Sequence, residues 1–435
     1  MIRFDAGGGA VGFVEPSPVV PLVTITLALR SGASHDAEGK EGATRLAARM
    51  LRRGCEGMTA NDVEEAIDRL GAELGVDVTW SSIALHAQVI RRNLRPFVGL
   101  LAKLLGKPTF DPKELERLAR ETEAEIVDGR DNDRGLCERA YRRAMFAGHP
   151  YGRSVRGSRA SVAAAADVAT VRAAFARHFV RGNAVLSFAG DITEDEAKEL
   201  GGLLAAELGP GGAVADAVPE PARRPGRHLV FVDKPDRTQT QILVGTLASH
   251  AHDADHVPLV VANAIFGGSF TARLMREVRS KRGWSYGASS RLGVDRRRQP
   301  MTMWTFPAQT DAAACVALEI ELLEKLTAEG ITPAELKFAS RYLSRSWAFE
   351  VDTAAKRVHQ ALDVEVLGLP ADYYASHVAR IKAATVEECN AALAAHVAPD
   401  DLLVCVVGTA KEIEGAVADA IPKLDSRTVV AYDDD

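Results

Sequence analysis

Four elements of this chain recur in the same order at a nearly constant offset, and that recurrence limits the fold more than any single motif. Phe13-Val14-Glu15 opens one strand region and Phe231-Val232-Asp233 opens another, 218 residues later. Each leads into an alternating segment. In the first, Val23, Ile25, Leu27 and Leu29 alternate with Thr24 and Thr26; in the second, Ile242 and Val244 hold the apolar positions. Period-two alternation predicts half-buried antiparallel strands. Further on, Asp111-Pro112-Lys113-Glu114-Leu115 recurs as Thr332-Pro333-Ala334-Glu335-Leu336. Both read as helix starts: Asp or Thr caps the first amides, Pro sits where a missing N–H costs nothing, and Glu follows three after the cap. The apolar run Ala184–Gly190 then matches Leu402–Gly408, again 218 residues on. Residues 205–226 are rich in Gly, Pro and Ala, which is linker composition. The expected fold is therefore α+β, with two homologous half-domains of antiparallel sheet packed with helices. They span residues 1–204 and 227–435 and are joined by the linker 205–226. Two unrelated α/β domains are the alternative.

At 435 residues the chain exceeds what one hydrophobic core organises, in keeping with that division. The 53 basic and 59 acidic side chains leave a net charge of −6, so neither nucleic acid nor an anionic membrane is an expected partner. No apolar run approaches the roughly 20 residues that span a bilayer. The opening MIRFDAGGGAVGF lacks the apolar core of a signal peptide. The expected location is cytoplasmic, or periplasmic if a leader has been removed. Cys55, Cys137, Cys315, Cys389 and Cys405 are scattered without paired spacing, which predicts reduced, buried thiols rather than disulfides or a metal site.

Two segments carry chemistry. The first runs Gly42-Ala43-Thr44-Arg45-Leu46-Ala47-Ala48-Arg49-Met50-Leu51-Arg52-Arg53-Gly54, with Leu46, Met50 and Leu51 forming an apolar stripe at helical spacing. The second, residues 267–286, reads GGSFTARLMREVRSKRGWSY. It resembles the substrate-binding signature of the pitrilysin/insulinase-type zinc metallopeptidases, the inverzincins. The chain as a whole resembles their short, processing-peptidase-like members. The resemblance implies that Arg279 and Tyr286, seven residues apart, hold the substrate's backbone carbonyl. The plain alternative is an Arg at a helix end and a Tyr packed in the core. Gly267, Gly268 and Gly283 are expected to give tight turns around the helix carrying Arg279.

The same family implies H-x-x-E-H in the N-terminal half, where two His hold zinc and the Glu acts as general base. Here Gly42, Met50, Leu51 and Gly54 keep the frame, but Arg45 and Arg49 stand for the His pair and Ala48 for the base. A guanidinium has no lone pair to offer a cation. Glu125 stands close to where the family's downstream ligand belongs and is expected to pair with Arg45 or Arg49. Otherwise all three are ordinary surface charges. The stretch Gly71–Thr79 keeps only the first Gly of the family's substrate-docking edge strand, so docking on this half is not expected.

Two further segments contain His. His149-Pro150-Tyr151-Gly152 resembles a recurrent family element and reads as a structural turn. His250-Ala251-His252-Asp253-Ala254-Asp255-His256 could bind a divalent ion, although adventitious binding in a loop is the stronger expectation. The resemblance as a whole implies a chain inactive alone, with no metal or cofactor of its own. Such a chain would lend Arg279 and Tyr286 to the zinc site of a related H-x-x-E-H partner in a heterodimer, acting on peptides as part of a metalloendopeptidase. The resemblance leaves room for a homodimer when that partner is absent. The competing expectation is a non-enzymatic peptide-binding or scaffold protein of the same fold.

Overall fold

The computed structural model describes residues 1–434 and divides into two compact units. The first comprises residues 1–126, 153–218 and 349–371; the second comprises 127–152, 219–348 and 372–435. Each centres on one six-stranded sheet.

In the first unit the strand order across the sheet is Ile2–Gly7, Ala10–Pro16, Ala184–Gly190, Leu22–Leu29, Ile83–Ile90 and Ala72–Val78. Most neighbours are antiparallel, but Ala10–Pro16 runs parallel to Ala184–Gly190, so the sheet is mixed. The parallel pair arises because the chain reaches Ala184–Gly190 through helices and inserts it at the sheet's centre. One face packs on helices Leu94–Gly106 and Glu194–Glu207, burying Val23, Ile25, Leu27 and Leu29 against Phe97 and Leu200. The other face is covered by Ala354–Leu367, a helix from the C-terminal half of the sequence. Its Ala354, Val358, Leu362 and Val366, four apart, meet Phe13, Ala28, Val185 and Ala189. Arg30 Nη2 ties this helix down through Glu365 at 2.9 Å, and Arg357 Nε does so through Glu15 at 2.6 Å.

The second unit repeats the plan. Its order is Ala288–Leu292, Pro300–Thr305, Gln241–Leu247, Leu403–Gly408, Arg227–Asp233 and Leu424–Ala431, with the last two pairings parallel. Helices His256–Phe266, Ala312–Glu329 and Val386–His396 contribute to the cluster that covers one face. The other is covered by Asp133–Met145, a helix from the N-terminal half, whose Leu136, Cys137 and Tyr141 lie on Val232, Leu243, Leu403 and Cys405. These borrowed helices explain a departure from the sequence pattern. Strands expected to be half-buried are buried on both faces: Thr26 as well as Leu27, and every residue from Ile242 to Leu247. The borrowing also means that the compact units do not follow residues 1–204 and 227–435 throughout. The helix Glu194–Glu207 runs three residues into the 205–226 linker, whose residues 211–225 then carry no regular structure.

Both Pro-led helices start as their sequences suggest. Asp111 Oδ1 accepts from Lys113 N at 2.7 Å, and Thr332 and Glu335 form a reciprocal cap, with Thr332 N donating to Glu335 Oε2 at 2.9 Å. All five cysteines are free and buried. Among the described residues, no helix is long and apolar enough to cross a membrane.

Inside the second unit, Glu319 is fully buried on helix Ala312–Glu329, where burial outweighs the opposing contact of Thr305. Desolvation pushes its pKa up to about 8, so the folded protein holds it neutral where an unfolded chain ionises it. The linked stability is complete below the ordinary carboxyl range and is lost as pH rises to about 8. Glu319→Gln should remove that slope. In urea titrations the variant should exceed the wild type at alkaline pH by on the order of a few kcal/mol, a gap that closes toward about pH 4. Parallel curves for the two proteins across that range would overturn the assignment.

Candidate functional site

The motif helix Ala43–Met50 is held at its start by a buried polar cluster. Gly42 adopts φ +98°, and a Cβ there would lie 2.8 Å from the Arg156 carbonyl oxygen, so the frame position admits glycine alone. The buried Asp36 carboxylate accepts from Gly42 N at 2.9 Å, Thr44 N at 3.0 Å and Thr44 Oγ1 at 2.5 Å. His178 bridges Thr44 Oγ1 at 3.2 Å and Ser31 Oγ at 2.6 Å; burial pushes its pKa down to about 3, which keeps the ring neutral. Leu46, Met50 and Leu51 are buried, as the helical stripe predicts.

On the opposite stripe of this helix stand Arg45 and Arg49, facing helix Pro112–Asp128. Arg45 Nη2 donates to Glu125 Oε2 at 2.7 Å, and Arg49 Nη1 lies 3.0 Å from Glu125 Oε1 and 3.3 Å from Thr122 Oγ1. Four residues on, Arg53 pairs with Glu121 and stands 3.7 Å from Glu114. The three guanidinium groups form a ladder against Glu125, Thr122, Glu121 and Glu114, with side chains only 21%, 23% and 19% exposed. Burial opposes ionisation of Glu125, yet the Arg45 hydrogen bond and the charges of both arginines hold its carboxyl below the usual range. Burial and the neighbouring Arg45 charge lower the Arg49 pKa.

These residues do not fit a zinc ion. The carboxylate that a metal would need is already taken by two cations, and Ala48, fully buried, offers no base. The rung at Arg53 was not singled out from sequence. Its signal was a spacing of four from Arg45 to Arg49 to Arg53, with Glu114, Glu121 and Glu125 at near-helical spacing on the facing helix. The strand Ala72–Val78 does lie at the edge of its sheet, preceded by Gly71 at φ +57°, and bears the exposed acids Glu73 and Asp77.

In the second unit, Arg279 lies on Met275–Lys281, a π-helix rather than the α-helix the sequence suggested. Such wide turns are rare and concentrate at functional sites. Gly267 and Gly268 serve close packing rather than turn freedom: a Cβ on Gly267 would lie 2.4 Å from Ser290 N, and one on Gly268 2.8 Å from the Ala264 Cα. Only Gly283 uses a left-handed φ, +69°. The structure brings Arg279 and Tyr286 together, with the guanidinium carbon 4.2 Å from the Tyr286 ring centroid. Tyr286 is 76% exposed, so it is no core aromatic. Phe270, not anticipated from sequence, lies 5.1 Å from the same guanidinium carbon.

The remaining histidines have local partners. Tyr151 N donates to His149 Nδ1 at 3.0 Å and His149 Nε2 meets the Pro219 carbonyl at 2.9 Å, which makes His149–Gly152 a pinned turn. His250 Nε2 lies 2.7 Å from the Arg296 carbonyl, and His256 is buried between Ser249 and Tyr373. Asp253, Asp255 and His396 bring donor atoms within 4.8 Å of one another, but Asp253 accepts from Arg298 at 2.8 Å and Asp255 from His396 at 2.7 Å. Local side chains therefore already occupy these carboxylates.

If the ladder replaces a metal as the tie between its two helices, a double-mutant cycle on Arg45→Ala and Glu125→Gln should show coupling of about 1 kcal/mol. Thermal or urea unfolding measures it. Additive single effects would show that the pair carries no stability.

Known proteins share this architecture. The profile of the insulinase family, peptidase family M16, matches residues 13–159, and a profile described as peptidase M16 inactive domain matches residues 165–343. A Helicobacter pylori protein called non-peptidase homolog YmxG is 21% identical over 401 residues, 92% of this chain and 91% of that protein. An uncharacterized zinc protease of Mycobacterium leprae is 25% identical over 341 residues, 78% of this chain and 76% of its own length. Among solved structures, the peptidase M16 inactive domain from Pseudomonas fluorescens matches with a TM-score of 0.86 at 24% identity, covering 94% of this chain and 98% of that one. With those profiles running through both halves of the duplication, the chain belongs to the insulinase-like peptidases of family M16.

Proposed function

We propose that this protein is a non-catalytic member of its family that works as one subunit of a heterodimeric metallopeptidase. In this reading it supplies Arg279 and Tyr286 to a peptide whose scissile bond is cleaved at a zinc site carried by a related partner chain. The observation that carries the proposal is the contrast between two sets of arginines. Arg45, Arg49 and Arg53 are consumed by carboxylates where zinc would bind, whereas the Arg279 guanidinium meets no carboxylate or carbonyl among the described residues. Its N–H donors are available to a substrate carbonyl and would strengthen their hold as that oxygen gains charge. Tyr286, beside it and exposed, can donate its hydroxyl to the same oxygen. The Helicobacter relative is called a non-peptidase homolog and the Pseudomonas structure an inactive domain, and both names agree with loss of independent activity.

The second reading is a peptide-binding or scaffold protein of the same fold, which the word non-peptidase equally suits. A scaffold needs no carbonyl clamp, and the pairing of Arg279 with the exposed Tyr286 favours the first.

Reconstitution distinguishes them. The chain alone should hydrolyse no peptide. Mixed with an H-x-x-E-H relative from the same source, it should give chelator-sensitive hydrolysis. Arg279→Ala should lower kcat/KM of the mixture by about a hundredfold, and Tyr286→Phe by less. Activity of the mixture indifferent to Arg279 would turn the assignment to the scaffold reading.

A further inference from the structure

Cations are distributed unevenly around the π-helix. Arg273 is paired with Glu335 at 2.7 Å. Glu277 gathers three others: Lys281 at 2.7 Å, Arg282 at 3.0 Å and Arg276 at 3.6 Å. Arg279 is left out of this network and lies against two aromatic rings instead, Tyr286 at 4.2 Å and Phe270 at 5.1 Å. Both rings face solvent, at 76% and 70% exposed. A guanidinium stacks through its weakly hydrated face and keeps its donors in the plane, at the edges. Ring contact therefore fixes the plane of the group without using a single N–H. A carboxylate partner would do the reverse, occupying two donors and cancelling the charge. Two large rings left in water beside the one unpaired cation of the segment also form an apolar surface where a ligand would lie.

We propose that Phe270 completes this site as a positioning residue. With Tyr286 it holds the Arg279 guanidinium in the orientation that meets a peptide carbonyl, and the two rings select extended peptides bearing large apolar side chains. The inference rests on the reading that Arg279 binds a peptide carbonyl, and it adds the residue that orients the group and the class of peptide preferred.

Fluorescence anisotropy on the full chain tests it, using two labelled unstructured peptides of equal length and charge, one rich in Leu and Phe and one with Ser at those positions. The apolar peptide should bind more tightly. Phe270→Ala should weaken its binding about two- to fivefold, the range expected of an exposed cation–π contact, and shrink the preference over the Ser peptide. Phe270→Tyr should restore binding and Phe270→Leu should not. Because the side chain is 70% exposed, the thermal midpoint should stay unchanged in all three variants, which separates orientation from folding. If Arg279→Ala weakens binding but Phe270→Ala does not, the role of Phe270 is overturned and the carbonyl clamp stands. If Phe270→Leu binds like the wild type, stacking is not what the residue supplies. If Arg279→Ala has no effect, or the wild type binds neither peptide, the clamp falls and the inference falls with it.

Discussion

Each sheet of this protein depends on one helix that its own half of the sequence does not provide. Six strands bury apolar side chains on both faces, and local helices cover only one. Without Ala354–Leu367, the face carrying Phe13, Ala28, Val185 and Ala189 would stand in water. Without Asp133–Met145, the same would hold for Val232, Leu243 and Leu403. Burial of that area is the main favourable term in folding such a sheet, and its cost if exposed would exceed the few kcal/mol by which domains are stable. The ion pairs of Glu365 and Glu15 locate the first of these helices; the apolar contacts hold it.

The site depends on that framework through a division of charge. In one unit the motif helix presents a row of cations to the helix it faces. Arg45, Arg49 and Arg53 are paired with carboxylates on the facing helix, which ties the helix pair together. In the other unit the Glu277 carboxylate is occupied by Lys281, Arg282 and Arg276, and Arg279 meets no carboxylate among the described residues. Water solvates that charge, and the rings of Tyr286 and Phe270 lie against it.

Much of this was legible in the sequence, and what was missed has physical reasons. The duplication, the two capped helix starts, the apolar stripe of Leu46 and Met50, and the pairing of Glu125 all follow from periodicities and charges that act within a helix turn or across one contact. The borrowed helices were not legible, because an amphipathic helix carries no mark of which sheet it will cover. That is also why half-buried strands were expected where Thr26 and Leu243 are buried. The mixed sheets were hidden for a similar reason, since strand order is set by the long connection and not by the strand. Phe270 gave no signal because a lone Phe beside two glycines reads as turn surroundings. The π-helix escaped because its residues fit an α-helix equally well.

The borrowed helices bear on how this chain can be divided. A protease cutting within residues 211–225, which carry no regular structure, would leave two fragments, each retaining a piece of the other's core. They should stay associated after the cut, and either one made alone should leave one face of its sheet uncovered. A gene broken at the linker would therefore yield two obligate companions in place of two free modules. The two halves repeat one plan, but each carries the helix that covers the other's sheet.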